Sequence, residues 1–182
     1  LSLVDLMTGQ VRKTVTVLNS QRQYGADVIT RIQQGAEGFL DELRSCVRKD
    51  ISRGITDLCA TEAAAVVHIV IAGNTTMLHL LLGLRADSLG LFPFQPVSTE
   101  LLELSSTELF GISGLDCDVT ILPAIGAFMG ADIVAGMMYC KKKKTISPTL
   151  FVDVGTNGEL AIGGEKRIVC ASTAAGPAFE GA

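Results

Sequence analysis

The chain has 182 residues, of which 48% are hydrophobic, with a formal net charge of −4 and a mean hydropathy of +0.41. This length suffices for one large domain or two small ones with a sizeable core. The acidic balance argues against a nucleic-acid binder, and no apolar run reaches the roughly 18 residues of a membrane span. The five cysteines show no CxxC spacing, so we predict neither a zinc site nor an iron–sulfur cluster here, and reduced thiols in the cytoplasm.

The first predicted elements are two short strands at residues 1–6 and 11–18, which flank a turn. A helix follows, because apolar residues recur every three or four positions from Leu40 to Leu58. Residues 65–72 form a continuous apolar run, which is typical of a strand buried on both faces of a parallel sheet.

A polar turn follows that strand and precedes another predicted helix. A strand, a glycine turn and a polar helix start are a common phosphate-binding arrangement, which makes Asn74 and Thr75 candidate phosphate ligands. The alternative is that one of them simply caps the helix. His68 and His79 are single histidines in apolar runs, and we expect them to be packed and hydrogen-bonded rather than ligands or bases.

Residues 84–111 are predicted to be an irregular loop, and residues 119–122 a short strand. Residues 126–140 predict a helix in which small residues recur every four positions, which indicates a tight helix–helix crossing. Asp132 lies in this otherwise apolar helix. It is either a polar residue of an active cleft or a solvated surface residue.

The most informative stretch is residues 151–160, which predict a strand, a tight turn and a second strand. Asp153 can hold a hydrated Mg²⁺, Gly155 lets backbone N–H groups approach phosphate oxygens, and Thr156 adds a hydroxyl donor. This pattern is not a Walker loop, because no GK[ST] follows it. The alternative is an ordinary β-hairpin whose turn needs Asp, Gly and Asn, and Asn157–Gly158 alone is a strong hairpin signal.

The order of elements is that of a ribonuclease-H-like lobe followed by the start of a second lobe. We expect residues 1–144 to form most of the first lobe, with the helix at 126–140 joining the lobes, and residues 145–182 to form the beginning of the second. The chain starts in mid-pattern and stops where a helix is predicted to begin, so we expect it to be a piece of a longer protein.

Five sequence blocks together are far more specific than the single hairpin. They are NSQRQYGADVI at 19–29, GNTTM at 73–77, LPAIGAFMGAD at 122–132, DVGTNGE at 153–159 and AAGPAFEG at 174–181. In this order they resemble the ATP-dependent reductive activators of corrinoid proteins. That family belongs to the actin-like superfamily of acetate and sugar kinases, Hsp70 and actin. The resemblance implies an α/β fold, with a mixed sheet and flanking helices in the first lobe.

The resemblance also implies a function for the intact protein. It would return the Co(II) corrinoid of a methyltransferase corrinoid protein to Co(I), with ATP and Mg²⁺ as cofactors. A [2Fe–2S] ferredoxin domain would belong to a missing N-terminal part. The corrinoid protein would be the partner, with no nucleic-acid or membrane partner, and a homodimer is one assembly that the family allows.

The same resemblance implies the site residues. The candidate catalytic residues are Asp153, which is also the candidate metal ligand by the resemblance, and Asp132, which its place in the apolar helix suggests. The candidate cofactor-binding residues are Gly155, Thr156, Asn157, Gly158, Asn74, Thr75 and Gly176. Glu159 is a weaker candidate, because the start of the next strand explains it equally well.

Two other functions stay open at this point. A small-molecule kinase of the same superfamily would need a base aimed at the acceptor hydroxyl, and Asp132 is the candidate for that role. The other is a binding module in which nucleotide only sets the shape that a corrinoid protein recognises. The family's first phosphate hairpin and its adenosine-binding segment are expected outside these residues, so we expect the fragment to be inactive alone.

Overall fold

The structure is a computed structural model that describes residues 1–59, 63–141, 149–155, 157–164 and 167–174. The strands are β1 (Ser2–Val4), β2 (Val11–Thr14), β3 (His68–Ile71), β4 (Leu102–Ser105), β5 (Asp118–Ile121), β6 (Thr149–Val154), β7 (Asn157–Gly163) and β8 (Ile168–Ala174). The α-helices are α1 (Val28–Gln34), α2 (Leu40–Cys59), α3 (Thr75–Leu82), α4 (Asp87–Gly90), α5 (Ser106–Phe110) and α6 (Ala131–Lys141). Single 3-10 turns lie at Ser20–Gln23 and Ala63–Ala65, and a π turn at Gly35–Phe39 joins α1 to α2. No helix in these ranges is long and apolar enough to cross a membrane.

The strands form three small sheets, two of which have only local connections. β1 pairs with β2, and β6, β7 and β8 form an antiparallel meander. The central sheet has the order β3-β5-β4, with β3 parallel and β4 antiparallel to β5. The strand predicted in residues 65–72 is therefore in a parallel pair, as expected.

The expectation that this strand is buried on both faces is wrong. β3 lies at an edge of the sheet, and its burial alternates along the strand. Val70 is 60% exposed, whereas Ile69 and Ile71 pack against the core. The helices cover one face of this strand, so its apolar run does not mark two-sided burial.

The core lies between α2, α3 and the central sheet. The helix predicted from Leu40 to Leu58 is confirmed as α2, and its inward positions Leu43, Val47 and Ile55 are buried. Val47 belongs to one cluster with residues of α3, α5, β5 and α6; its other buried members are Leu78, Leu81, Leu109, Val119, Ile121 and Ala131. Burial of these side chains removes apolar surface from water at about 25 cal/mol per Å².

The prediction of an irregular loop over residues 84–111 is wrong at α4 and again over residues 102–110. β4 forms by pairing with β5, a contact that the local sequence does not reveal. α5 follows directly, because Ser105 accepts a hydrogen bond from the Glu108 N–H at 3.1 Å and so caps the helix. Leu109 is buried in the core and anchors this short helix.

The helix predicted at residues 126–140 begins five residues later, as α6. Residues 126–129 instead form a turn, in which the Ile125 N–H donates to the Met129 carbonyl at 2.8 Å. The small residues do allow close approach, but to a turn and a strand rather than to a helix. A Cβ on Gly130 would lie 2.5 Å from Asn74 Cα, and one on Gly136 would lie 2.5 Å from Phe151 Cζ. The predicted helix–helix crossing is therefore wrong.

The predicted meander after residue 149 is confirmed, and its first turn is at Gly155. The Gly155 N–H donates to the Asn157 carbonyl at 2.9 Å, and Val154 pairs with Gly158. Asn157 and Gly158 are thus the first residues of β7. The hairpin that these two residues signal is present, but its turn lies at Gly155 rather than at Asn157 and Gly158.

Candidate functional site

Two turns meet at one edge of the central sheet, where β3 and β5 both end. The Gly73 carbonyl accepts hydrogen bonds from the N–H groups of Ala131 at 2.9 Å and Asp132 at 3.4 Å. The first turn of α6 is thereby fixed beside the first turn of α3. In open α/β sheets, ligands bind at the carboxyl ends of parallel strands, so this edge is the place to look for a site.

Asn74 begins α3 and serves the helix directly. Its Oδ1 accepts a hydrogen bond from the Met77 N–H at 2.8 Å, with extended backbone angles typical of an N-cap. The capping alternative raised from the sequence is therefore what the structure shows for this oxygen. A phosphate contact by Asn74 stays a prediction.

Thr75 holds the two turns together. Its side chain is buried, and Oγ1 donates to the Gly126 carbonyl at 2.6 Å. The hydroxyl therefore links the start of α3 to the loop that leads into α6. The geometry gives Thr75 a positioning role, and direct contact with a phosphate stays a prediction.

His79 supports the same helix from inside. Its Nδ1 lies 2.8 Å from the Thr75 carbonyl, and its Nε2 lies 3.0 Å from the Val97 nitrogen. A backbone N–H can only donate, so Nε2 is the acceptor and Nδ1 carries the proton. Burial lowers the pKa of His79, which keeps the ring neutral. The expectation of a packed, hydrogen-bonded histidine is confirmed here, whereas His68 is exposed and contacts Thr120 Oγ1 at 2.8 Å.

Three carboxylates interact electrostatically near the hairpin. Asp153 of β6 and Glu159 of β7 stand directly opposite each other, and such pairs share one face of the sheet. Partial burial raises the pKa of Glu159, and the negative charges of Asp153 and Asp132 raise it further. Asp132 comes from the first turn of α6, where its Oδ1 also accepts from the Ile133 N–H at 3.0 Å. The structure thus brings both predicted catalytic residues into one electrostatic group.

The prediction from sequence gave Glu159 too little weight. Its position opposite Asp153 follows from the turn at Gly155, whereas a two-residue turn at Asn157–Gly158 would have placed Ile162 opposite Asp153. Placing the turn correctly is the signal that would have identified it. The Gly73 carbonyl, which fixes α6, has no sequence signal at all.

The carboxylates suit a hydrated magnesium ion better than a directly bound metal. Oxygen ligands fit Mg²⁺, which keeps several of its waters and takes the rest of its ligands from phosphates. Within the described ranges, no group of three or more His, Cys, Asp or Glu side chains is arranged to hold a metal ion. Asp153, which is exposed, would hold the ion through its waters.

The other predicted ligands fall in three places. Gly155 is exposed in the turn, Asn157 is exposed at the start of β7, and Gly158 is buried beside it. Thr156 and Gly176 lie outside the described residues. The described part of the chain therefore brings together the hairpin and Asp132, and it places Asn74 and Thr75 on the turn that fixes α6.

Comparison with known proteins identifies the family. Residues 1–145 match the family described as the RACo middle region, and residues 147–182 match the C-terminal domain of RACo, the ASKHA domain. The chain belongs to the RACo family. The resemblance found in the sequence is confirmed.

Similar RACo-type proteins are longer than this chain. This chain is 34% identical to the corrinoid activation enzyme RamQ of Eubacterium limosum, over 99% of its own length and 31% of RamQ. It is 27% identical to the [Co(II) methylated amine-specific corrinoid protein] reductase of Methanosarcina barkeri, over 98% of this chain and 34% of that protein. The chain spans about a third of the length of these relatives.

A solved structure confirms the fold class. The chain superposes on a reductive activator for corrinoid,iron-sulfur protein with a TM-score of 0.88 and 34% identity, over 99% of this chain and 30% of that one. Together with the ASKHA match, this confirms the expected actin-type α/β fold.

Proposed function

We propose that this chain is part of a reductive activator that uses ATP to return a Co(II) corrinoid to Co(I). The observation that carries the proposal is the match of one continuous chain to two adjacent parts of RACo. The substrate is the corrinoid of a methyltransferase corrinoid protein, which is the partner, and the reaction takes place in the cytoplasm. A [2Fe–2S] centre held by a part of the polypeptide outside these 182 residues would supply the one electron that cobalt needs.

We propose two lobes, residues 1–144 and the beginning of a second lobe in 145–182, with α6 as the element between them. Support comes from the close contacts of α6 with both parts. Gly130, just before the helix, meets the turn at Gly73, and Gly136 within it meets Phe151 of β6. A movement of the hairpin relative to the central sheet would therefore have to involve α6.

The nucleotide would be held by both parts. We propose that Asp153, Gly155, Thr156, Asn157 and Gly158 form the phosphate hairpin that binds Mg-ATP. The ASKHA match supports the use of a nucleotide. When bound, Mg²⁺ would neutralise negative charge on the phosphates.

The remaining proposed ligands lie outside the phosphate hairpin. Asn74 and Thr75 would lie near the phosphates, and Gly176 would line the nucleotide or corrinoid side. Asp132 would face the phosphates from the first turn of α6, close enough to Glu159 to raise its pKa. Its proposed role is to orient a group that reacts at the phosphate.

The experiment is an anaerobic assay of the full-length protein with its Co(II) corrinoid protein, Mg-ATP and an electron donor. Formation of Co(I) is followed by absorbance and ATP turnover by phosphate release. We expect both to require the corrinoid protein and to fall at least tenfold in Asp153→Ala. Glu103→Gln is the matched control, because Glu103 is an exposed glutamate on β4.

Each alternative function has its own outcome in this assay. Turnover that ignores the corrinoid protein but follows a small alcohol or carboxylate would support the kinase. Nucleotide-dependent binding of the corrinoid protein without turnover would support the binding module. The homodimer expected from the resemblance is a separate proposal.

A further inference from the structure

His79 belongs to a group of hydrogen bonds that joins three segments of the chain beside the candidate site. The segments are the first turn of α3, residues 97–99 before β4, and residues 124–126 between β5 and α6. His79 is 1% exposed, so bulk water does not compete for its two ring nitrogens. The histidine therefore contacts more than its own helix.

Two bonds of the group involve the histidine ring. The Nδ1–H of His79 donates to the Thr75 carbonyl at 2.8 Å, and the Val97 N–H donates to His79 Nε2 at 3.0 Å. A neutral imidazole offers one donor and one acceptor, and both are used here. The ring therefore ties residues 97–99 to the first turn of α3.

Two further bonds join these segments to the loop before α6. The Ala124 N–H donates to the Thr99 carbonyl at 3.0 Å, and Thr75 Oγ1 donates to the Gly126 carbonyl at 2.6 Å. Together with the two bonds of His79, they close a ring through the three segments, each of which is held at two points. Removal of the histidine releases residues 97–99 from α3, and the anchor that they provide for Ala124 is released with them.

The loop in this ring leads directly to Asp132. Gly130 follows the loop and lies against the turn at Gly73, where an added Cβ would be 2.8 Å from the Gly73 carbonyl oxygen. The same carbonyl accepts from the Asp132 N–H at 3.4 Å. A displacement of residues 124–126 would therefore reach the first turn of α6. Near a reacting phosphate, a misplacement of about 1 Å can cost 100-fold in rate.

We propose that His79 is a positioning residue for the reaction of ATP, which acts by holding the loop before α6, and with it Asp132, in place. The inference rests on the proposed function, in which Asp132 orients a group that reacts at the phosphate. β6 and β7, which carry the phosphate hairpin, belong to a different sheet from the segments that His79 joins. Loss of His79 should therefore impair the reaction of the nucleotide more than its binding.

The test is ATP turnover by the full-length protein with its Co(II) corrinoid protein, below the melting temperature of every variant. We expect His79→Ala to lower kcat at least tenfold and to change the KM for Mg-ATP less than threefold. Leu80→Ala is the matched control, because Leu80 is equally buried in α3 but packs in the apolar cluster with α1 and α4. Its variant should lose stability and keep the kcat of the wild type.

Conservative substitutions of His79 separate positioning from a simple loss of packing. Glutamine places its amide near the position of Nε2 and can accept from the Val97 N–H, so His79→Gln should recover most of the lost kcat. Asparagine is too short to reach Val97 and can only donate to the Thr75 carbonyl, so His79→Asn should behave like His79→Ala.

Hydrogen–deuterium exchange of the same full-length variants tests the placement without relying on activity. Residues 122–132 should exchange faster in His79→Ala and His79→Asn than in Leu80→Ala, because only the histidine variants open the ring of hydrogen bonds. Exchange in this segment that is the same in His79→Ala as in the control would contradict the proposed route to Asp132.

The kinetic results can also overturn the proposal. Wild-type kcat in His79→Ala would do so, and so would an equal loss in Leu80→Ala, which would indicate a general effect of lost stability. A rise in KM at unchanged kcat would assign His79 to nucleotide binding instead. Failure of the proposed function has a different signature, because the wild type itself would then show no ATP turnover with the corrinoid protein.

Discussion

The sharpest mechanical prediction concerns Gly130, which precedes α6. An alanine Cβ at this position would lie 2.5 Å from Asn74 Cα and 2.8 Å from the Gly73 carbonyl oxygen. Both are backbone atoms of the turn that fixes α6, so neither can rotate away as a side chain would. The Gly130→Ala variant therefore has to separate the two turns.

The expected cost follows from two opposing effects. Overpacking of this kind typically costs about 1–3 kcal/mol. Replacing glycine also restricts the unfolded chain, which offsets about 0.4–1 kcal/mol. We therefore expect a net loss of about 1–2 kcal/mol in the free energy of unfolding, which lowers the melting temperature by roughly 2–8 °C in a chain of 150–250 residues.

Gly126→Ala is a matched control within the same loop. A Cβ on Gly126 meets no atom within 4 Å, so only the effect on the unfolded chain should remain. We expect this variant to be neutral or slightly stabilised. Both variants are compared with the wild type by thermal melting and by urea unfolding of the 182-residue chain. If Gly130→Ala matches Gly126→Ala in both assays, the turns do not need the close approach, and the reasoning fails.

Three further substitutions test the rest of the site, each by thermal melting against the wild type. Gly136→Val should lower the melting temperature, because its Cβ would meet Phe151 at 2.5 Å and push α6 from β6. Glu159→Gln should stabilise the chain at neutral pH. Because the pKa of Glu159 is raised in the folded chain, the free energy of unfolding falls as pH rises above about 4.5. The stabilisation by Glu159→Gln should therefore disappear in acid. His79→Ala should cost about 1–3 kcal/mol, since it removes a buried ring and leaves the Val97 N–H without its acceptor. Because the pKa of His79 is lowered in the folded chain, its contribution to the free energy of unfolding is fully present above pH 6.5 and is lost as pH falls below that value. The stability of His79→Ala should not show this pH dependence.

The sequence predicted those parts of the fold that depend on local patterns. α2 repeats apolar residues with helical spacing over 20 residues, and its buried positions were read correctly. The meander of β6, β7 and β8 has short connections, so its pairing is also local. These are the cases in which hydrophobic periodicity and turn residues determine the structure without help from distant contacts.

The errors concern elements whose state is set by distant partners. β4 becomes a strand because it pairs with β5, and a short segment has no periodicity that would show this. Gly126 and Gly130 were read as a helix stripe because their spacing is helical. A Cβ on Gly130 would meet the turn at Gly73 and Asn74, whereas one on Gly126 would meet no atom within 4 Å. Spacing alone cannot distinguish a helix stripe from two glycines in a loop that approaches another backbone.

The candidate site also combines features set by local sequence with features set by distant contacts. The Asp153 hairpin was found because its chemistry is contained in a few consecutive residues. The surroundings of the hairpin could not be predicted in the same way. Asp132 lies near it only because of the position of α6, whose start is fixed by the Gly73 carbonyl. The two catalytic candidates are thus 21 positions apart in sequence and are coupled by one helix. For this reason a substitution such as Gly130→Ala, which changes no charge, is expected to change the placement of Asp132, and a shift of about 1 Å can cost 100-fold in rate.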